Sequence, residues 1–302
     1  MSLLKLALLA LVAYSLTLFF ALAQTAPVLN EGQLSGRILT ADGQPLAYVS
    51  VGIPGTPVGT VSNEQGLFTL VLRASAAPTD SVRFSMLGYA SLTLPLATLR
   101  RQLVLNTPLI LTQTMQQLAE VQVKPLSGKT IGSRRVEAHT STNLLINGQP
   151  SQNLGSEVGR RFNLPGKAHQ LTEYRVFVQS DFEATTLRIN IYEARTMRPL
   201  LTRNVYVTLT GKHRDWVTVD LMPFAIVTTG DVVASVQWVG SEGKGRYVSL
   251  PIQIPAFATH LYKYGSQNNW KTFRGMSSAM TLGFSPLDRE SSPIIESLTA
   301  TR

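Results

Sequence analysis

From about residue 30 onward, apolar and polar positions alternate in runs of about five to eight residues, the two-residue period of strands with one buried face. Gln33-Leu34-Ser35-Gly36-Arg37-Ile38-Leu39 alternates and predicts a strand. Asp42-Gly43 then turns the chain, because glycine takes a positive φ at no steric cost, and Pro45-Leu46-Ala47-Tyr48-Val49-Ser50-Val51 starts the next strand. Gly55-Thr56 and Gly59-Thr60 bracket a loop, Glu64-Gln65-Gly66 leads into Leu67-Phe68-Thr69-Leu70, and Val82-Arg83-Phe84-Ser85-Met86-Leu87 closes at Gly88-Tyr89. Leu109, Leu111, Val121 and Val123 give the apolar positions of a last segment. Helical spacing is confined to a weak candidate at residues 96–105.

The second half carries the clearest alternation, at residues 173–180, 186–193, 204–209, 215–221, 231–239 and 247–254, with 277–284 closing a sheet. Leu187, Ile189 and Ile191 share one face; Arg188, Asn190 and Tyr192 share the other. Val205, Val207 and Leu209 oppose Tyr206 and Thr208, and Val217, Val219 and Leu221 oppose Trp216, Thr218 and Asp220. Roughly eight such strands predict a jelly-roll-like sandwich over residues 151–286. Between the strand-rich units, residues 124–150 read as a basic linker: Pro125, Gly128, Gly132 and Gly148 interrupt them, and Lys124, Lys129, Arg134 and Arg135 cluster there. Residues 287–302 read as a flexible tail.

The opening of the chain departs from this pattern. Lys5 precedes a nearly continuous apolar run over residues 6–21, and Ala21-Leu22-Ala23 supplies small residues before Gln24. That is the arrangement of a signal peptide with an A-x-A cleavage site at residues 1–23; an uncleaved anchor is the other reading of the run. An exported chain follows, placed in the periplasm, at the outer membrane or outside the cell. The 302 residues are 44% hydrophobic and 15% charged, enough apolar chain for two cores and too much for disorder. With no Cys, disulfide scaffolds, thiolate zinc sites and a cysteine nucleophile are excluded. Residues 30–123 are neutral, whereas from Lys124 onward 21 basic residues face 13 acidic ones. Such a basic surface would favour anionic partners such as phosphorylated lipid or acidic glycan, but the excess is dispersed, which better fits solubilising charge, and no nucleic-acid module accompanies it.

The run Gly36-Arg37-Ile38, Asp42-Gly43, Pro45-Leu46, Val49-Ser50-Val51, Gly55-Thr56, Gly59-Thr60, Asn63-Glu64, Gly66, Phe68-Thr69-Leu70, Phe84-Ser85 and Gly88-Tyr89 resembles the carboxypeptidase-regulatory-like domain of Bacteroidetes-type exported proteins. The resemblance spans residues 30–123 and implies a seven-stranded, transthyretin-like β-sandwich; similar modules precede the plug of TonB-dependent outer-membrane receptors. Asn63 stands where the family usually has Asp, and serves the same turn. The family accompanies zinc carboxypeptidases without hydrolysing anything and brings no metal ligands. The second unit resembles, more loosely, carbohydrate-binding jelly rolls. The fold class expected is therefore all-β, an N-terminal seven-stranded transthyretin-like sandwich followed by a jelly-roll-like sandwich.

Reactive constellations are not legible. His139, His169, His213 and His260 are far apart in sequence; His169 and Glu173 are one residue too distant for a His-x-x-Glu pair. Gly275-Met276-Ser277-Ser278 lacks the closing glycine of a nucleophile elbow, and Gly240-Ser241-Glu242-Gly243-Lys244-Gly245 reads as a hairpin loop. Asp181, Glu183, Glu193, Asp215, Asp220 and Asp231 are available for a hydrolytic carboxylate pair, but nothing selects two of them. Aromatics are the stronger lead, since flat rings beside polar groups suit sugar faces. Trp238 shares a face with Val232, Ala234 and Val236 and belongs to the core. Trp216, Tyr192, Arg188, Asn190, Tyr206 and Trp270 are the candidate ligand-binding residues. The expectation is an exported, non-catalytic binding or assembly protein of the cell envelope, its partner a glycan or an envelope protein, with no cofactor and no metal. Alternatives are an exported hydrolase and a scaffold docking on an outer-membrane receptor by sheet-edge pairing.

Overall fold

The computed structural model describes residues 32–114, 128–138, 140–146 and 148–287. The leader, Val121, Val123, Lys124, His139 and the tail beyond Leu287 lie outside the described residues. Two hydrophobic cores form, one drawn from Leu34 through Leu111 and the other from Leu144 through Phe284.

The first domain contains seven strands among the described residues: β1 (Gln33–Thr40), β2 (Ser50–Gly52), β3 (Gly59–Val61), β4 (Leu67–Val71), β5 (Ser81–Ser85), β6 (Leu92–Pro95) and β7 (Leu109–Leu111), with helix α1 (Leu96–Val104) between the last two. They form a three-stranded sheet, β4-β1-β7, and a four-stranded sheet, β3-β2-β5-β6. The inward positions Leu34, Ile38, Val51, Phe68, Leu70, Val82 and Phe84 meet between them, and α1 adds Leu96, Leu99 and Leu103. Asn63 fixes the turn into β4 by accepting from the backbone N–H of Gln65 (3.0 Å) and of Leu67 (2.9 Å), while Gly66 takes a φ of 72°.

The second domain contains fourteen strands among the described residues: β8 (Lys129–Gly132), β9 (Thr140–Asn143), β10 (Glu157–Phe162), β11 (His169–Ser180), β12 (Ala184–Glu193), β13 (Val205–Thr210), β14 (His213–Asp220), β15 (Val227–Thr228), β16 (Val232–Glu242), β17 (Val248–Gln253), β18 (Thr259–Lys263), β19 (Lys271–Arg274), β20 (Ser277–Ser278) and β21 (Met280–Pro286). One sheet runs β13-β12-β16-β10-β18-β19; the other is built around β20-β17-β11-β21-β8, with β14 and β15 on β11 and β9 on β17. All of their pairings are antiparallel. The sheets close over Val158, Tyr174, Val176, Leu187, Ile189, Ile191, Trp238, Leu250 and Leu282.

Two sequence expectations are corrected. The segment read as a linker contributes β8 and β9, paired with β21 and β17, and its Leu144 is fully buried in the second core. These strands are short and polar, so tertiary pairing rather than hydrophobic alternation holds them. The glycine-rich stretch at 240–245 is a crossover rather than a hairpin loop, because it leaves β16 in one sheet and enters β17 in the other.

The domains are docked. Ser266 donates to the Val51 carbonyl (2.7 Å), Gln267 to the Ser50 carbonyl (3.1 Å) and the Ser85 hydroxyl (2.8 Å), and Gly55 N–H to the Gln267 carbonyl (3.0 Å). Thr60 reaches the Ser151 carbonyl at 3.2 Å, and Leu87 packs onto the second core. The approach is close enough to demand glycine: a Cβ on Gly59 would stand 2.7 Å from the Ser266 backbone nitrogen, and one on Gly265 2.7 Å from the Pro57 carbonyl oxygen. Gly265 also has a φ of 82°, where side chains are disfavoured.

Candidate functional site: a cleft between the domains

Docking covers the polar face of β12 and leaves a cleft of about 630 Å³ between the domains. Period-two alternation puts Leu187, Ile189 and Ile191 into the core and aims Arg188, Asn190 and Tyr192 at the first domain. The first domain contributes Ser50, Arg83 and Ser85 to the opposite wall; Lys263, Gln267 and Trp270 complete it.

The floor is a charged network. Glu157, at the start of β10, is fully buried, and Lys263, directly across on β18, reaches its Oε2 at 2.6 Å. Its Oε1 accepts from Asn190 Nδ2 (2.8 Å), the Tyr192 hydroxyl (3.0 Å) and the Ser235 hydroxyl. Burial alone would raise the Glu157 carboxyl, but Lys263 and these donors outweigh it and hold the group below the ordinary carboxylate range. Burial first, and then the Glu157 charge, push the Tyr192 phenol well above its usual value. Glu157 therefore stays ionised and Tyr192 stays a neutral donor across physiological pH. The arrangement fixes the orientations of Asn190, Tyr192 and Lys263. Lys263 Nζ sits 4.9 Å from the Trp270 ring centre, and Tyr192 meets that ring edge-on at 6.1 Å.

Five of the six candidate residues are thus brought together. Arg188 donates to the Tyr48 carbonyl and lies 5.4 Å from the Tyr206 ring, which packs on Tyr48 at 4.9 Å. Arg188 and Tyr206 serve chiefly to join the domains, while Asn190, Tyr192 and Trp270 shape the cleft. Trp216 stands apart: β14 belongs to the other sheet, where Trp216 packs on Phe177 (5.7 Å) and Arg175 (5.2 Å). Trp238 is fully buried, as its face implied. Sequence reasoning missed Glu157 and Lys263, since nothing local marks two residues 106 positions apart as cross-strand neighbours.

The six carboxylates weighed for hydrolysis are dispersed. Asp181 holds Arg246, Asp231 holds Arg161, Glu193 accepts from Thr196, and Asp215 and Asp220 accept backbone N–H groups at Trp216 and Met222. Glu183 lies beside Gly243. His169 contacts the Lys167 carbonyl and His213 the Asp215 carbonyl. His260 lies 2.8 Å from Ser278, a hydroxyl–imidazole pair the sequence did not disclose, but Ser278 is fully buried and the other ring nitrogen faces Thr142 at 3.4 Å. No group of three or more His, Asp or Glu suited to a metal ion occurs among the described residues.

Fold and cleft together define a two-domain β-sandwich protein with a polar site at the domain junction. Residues 34–123 match the family described as the CarboxypepD_reg-like domain, whose regulatory-like module is non-catalytic. No match is found among curated proteins. Among solved structures, the chain is similar to the cysteine protease and lectin-like domains of Cwp84, a surface layer associated protein of Clostridium difficile, at 8% identity and a TM-score of 0.35. That similarity covers 80% of this chain and 59% of the other, so the chain spans less than two thirds of that protein's length. It is also similar to the infectious bursal disease virus Gx strain structure, at 9% identity and a TM-score of 0.25, covering 84% and 78% of the two chains.

Proposed function

We propose that this is an exported, non-catalytic binding protein of the cell envelope, and that the interdomain cleft is its ligand site. One observation carries the reading: two domains converge on a preorganised cleft whose walls pair Trp270 and Tyr192 with the hydrogen-bonding groups of Arg83, Asn190, Lys263 and Gln267. Aromatic faces set among fixed donors and acceptors suit a hydroxyl-rich ligand, and a glycan is the class that offers both apolar CH faces and hydroxyls. The buried ion pair supports this role by holding Lys263, Asn190 and Tyr192 in place, so that little ordering remains to be done on binding.

A glycan array with wild type, Trp270→Ala and Trp216→Ala tests the proposal. Wild type binds a defined glycan set, Trp270→Ala weakens binding by about tenfold or more, and Trp216→Ala leaves it unchanged. Absence of glycan binding, or binding that ignores Trp270, overturns it.

A further inference from the structure

A second cleft, of about 800 Å³, opens at the far end of the β10–β18 strand pair, between the two sheets of the second domain. Its walls are apolar (Ile131, Phe162, Pro255, Phe257) apart from Asn163, Thr259 and three arginines, Arg160, Arg161 and Arg274; no carboxylate lines it. Arg161 is matched by Asp231 at 2.7 Å. Arg160 points inward and donates to the Ser277 hydroxyl (2.6 Å) and to backbone carbonyls, while its buried Nε finds no partner. Arg274 is exposed at the rim on the edge strand β19.

The loop over residues 254–258, which carries the chain from one sheet to the other, forms one lip of this cleft. It presents bare apolar side chains: Ile254 is 56% exposed, and Phe257 is 113% exposed, more than in an extended reference peptide. Arg135 stands beside this loop, its carbonyl accepting from Gln253 Nε2 at 3.0 Å, and Arg274 pairs across from Thr259. Exposed apolar tips ringed by cations complement one kind of surface, in which a hydrocarbon layer lies under a sheet of anionic headgroups. An acidic protein would match both only if it also offered an apolar pocket shaped for Phe257 and Ile254. Among the described residues no helix is long and apolar enough to cross a membrane.

We infer that this end of the second domain docks on an anionic lipid surface, Phe257 and Ile254 entering the hydrocarbon boundary while Arg274 and Arg135 meet the phosphates. The inference stands independently of the ligand assigned to the interdomain cleft.

Co-sedimentation with phosphatidylglycerol-containing and pure phosphatidylcholine vesicles tests it, using residues 24–302 so that the apolar leader contributes nothing; both cores lie within that span. The expected result is binding to the anionic vesicles only, weakened by salt. Phe257→Ser weakens it about tenfold and Arg274→Ser about fivefold, without change in melting temperature, since both side chains are exposed. Soluble glycerol phosphate at millimolar concentration does not compete. No vesicle binding, equal binding to both vesicle types, or indifference to Phe257→Ser overturns the inference; full competition by glycerol phosphate reassigns the cleft to a free phosphate and likewise overturns it.

Discussion

The strands β10 and β18 carry two clefts, both walled by cationic side chains, and what lies beneath and beside those cations differs. At one end Glu157 and Lys263 face each other and neutralise, with every remaining carboxylate contact supplied by Asn190, Tyr192 and Ser235. At the other end, three residues along the same ladder, Arg160 stands across from His260 with no carboxylate on the cleft wall. The first cleft rests on a buried ion pair that fixes Lys263, Asn190 and Tyr192, with Arg83 and Arg188 also on its walls, which suits recognition by pre-oriented donors. The second has no buried ion pair beneath it among the described residues and sets the exposed Arg274 beside exposed apolar side chains, which suits an anionic surface. Net charge alone blurs this distinction; its pairing in space reveals it.

Removing one partner of the buried pair does the most damage. Glu157→Ala strands the Lys263 ammonium and three donors in a dry site, and is expected to cost about 3–5 kcal/mol in urea denaturation, whereas the double change Glu157→Gln with Lys263→Met recovers a good part of the loss. If Glu157→Ala costs less than about 1 kcal/mol, the network is not dry.

His260 sharpens the contrast through pH. Burial lowers its imidazole from 6.5 to about 4, so the folded protein keeps it neutral where the unfolded chain takes up a proton. Between those two values the unfolded state binds more protons, and stability falls as pH is lowered through that window, by on the order of 3 kcal/mol at its foot. His260→Gln should flatten the stability-against-pH profile across that range; an unchanged slope would place the acid sensitivity elsewhere.

Much of this architecture is legible in the order of the residues. The turn residues and apolar positions of residues 34–111 announce the first sandwich, and Phe68, Leu70 and Phe84 fill its core as their spacing implies. In the second domain, alternation correctly groups Arg188, Asn190 and Tyr192 on one face. It is silent on what that face meets, because Tyr48 and Arg188 are brought together across 140 residues by docking, which leaves no periodic trace. The same blindness groups Trp216 with Tyr192: their strands look alike locally, and only the pairing of β14 with β11 separates them. Strand β10 escapes notice because Glu157, Arg160 and Arg161 interrupt its apolar pattern, and those charges are what make both clefts.

On this account the two domains form one cooperative unit whose junction builds the interdomain cleft. Differential scanning calorimetry tests it most directly. Wild type should unfold in a single cooperative transition, and Gly59→Val, which drives a side chain into the Ser266 backbone, should destabilise the junction by about 1–3 kcal/mol and split that transition in two. Two independent transitions in the wild type, with neither moved by Gly59→Val, would contradict the account.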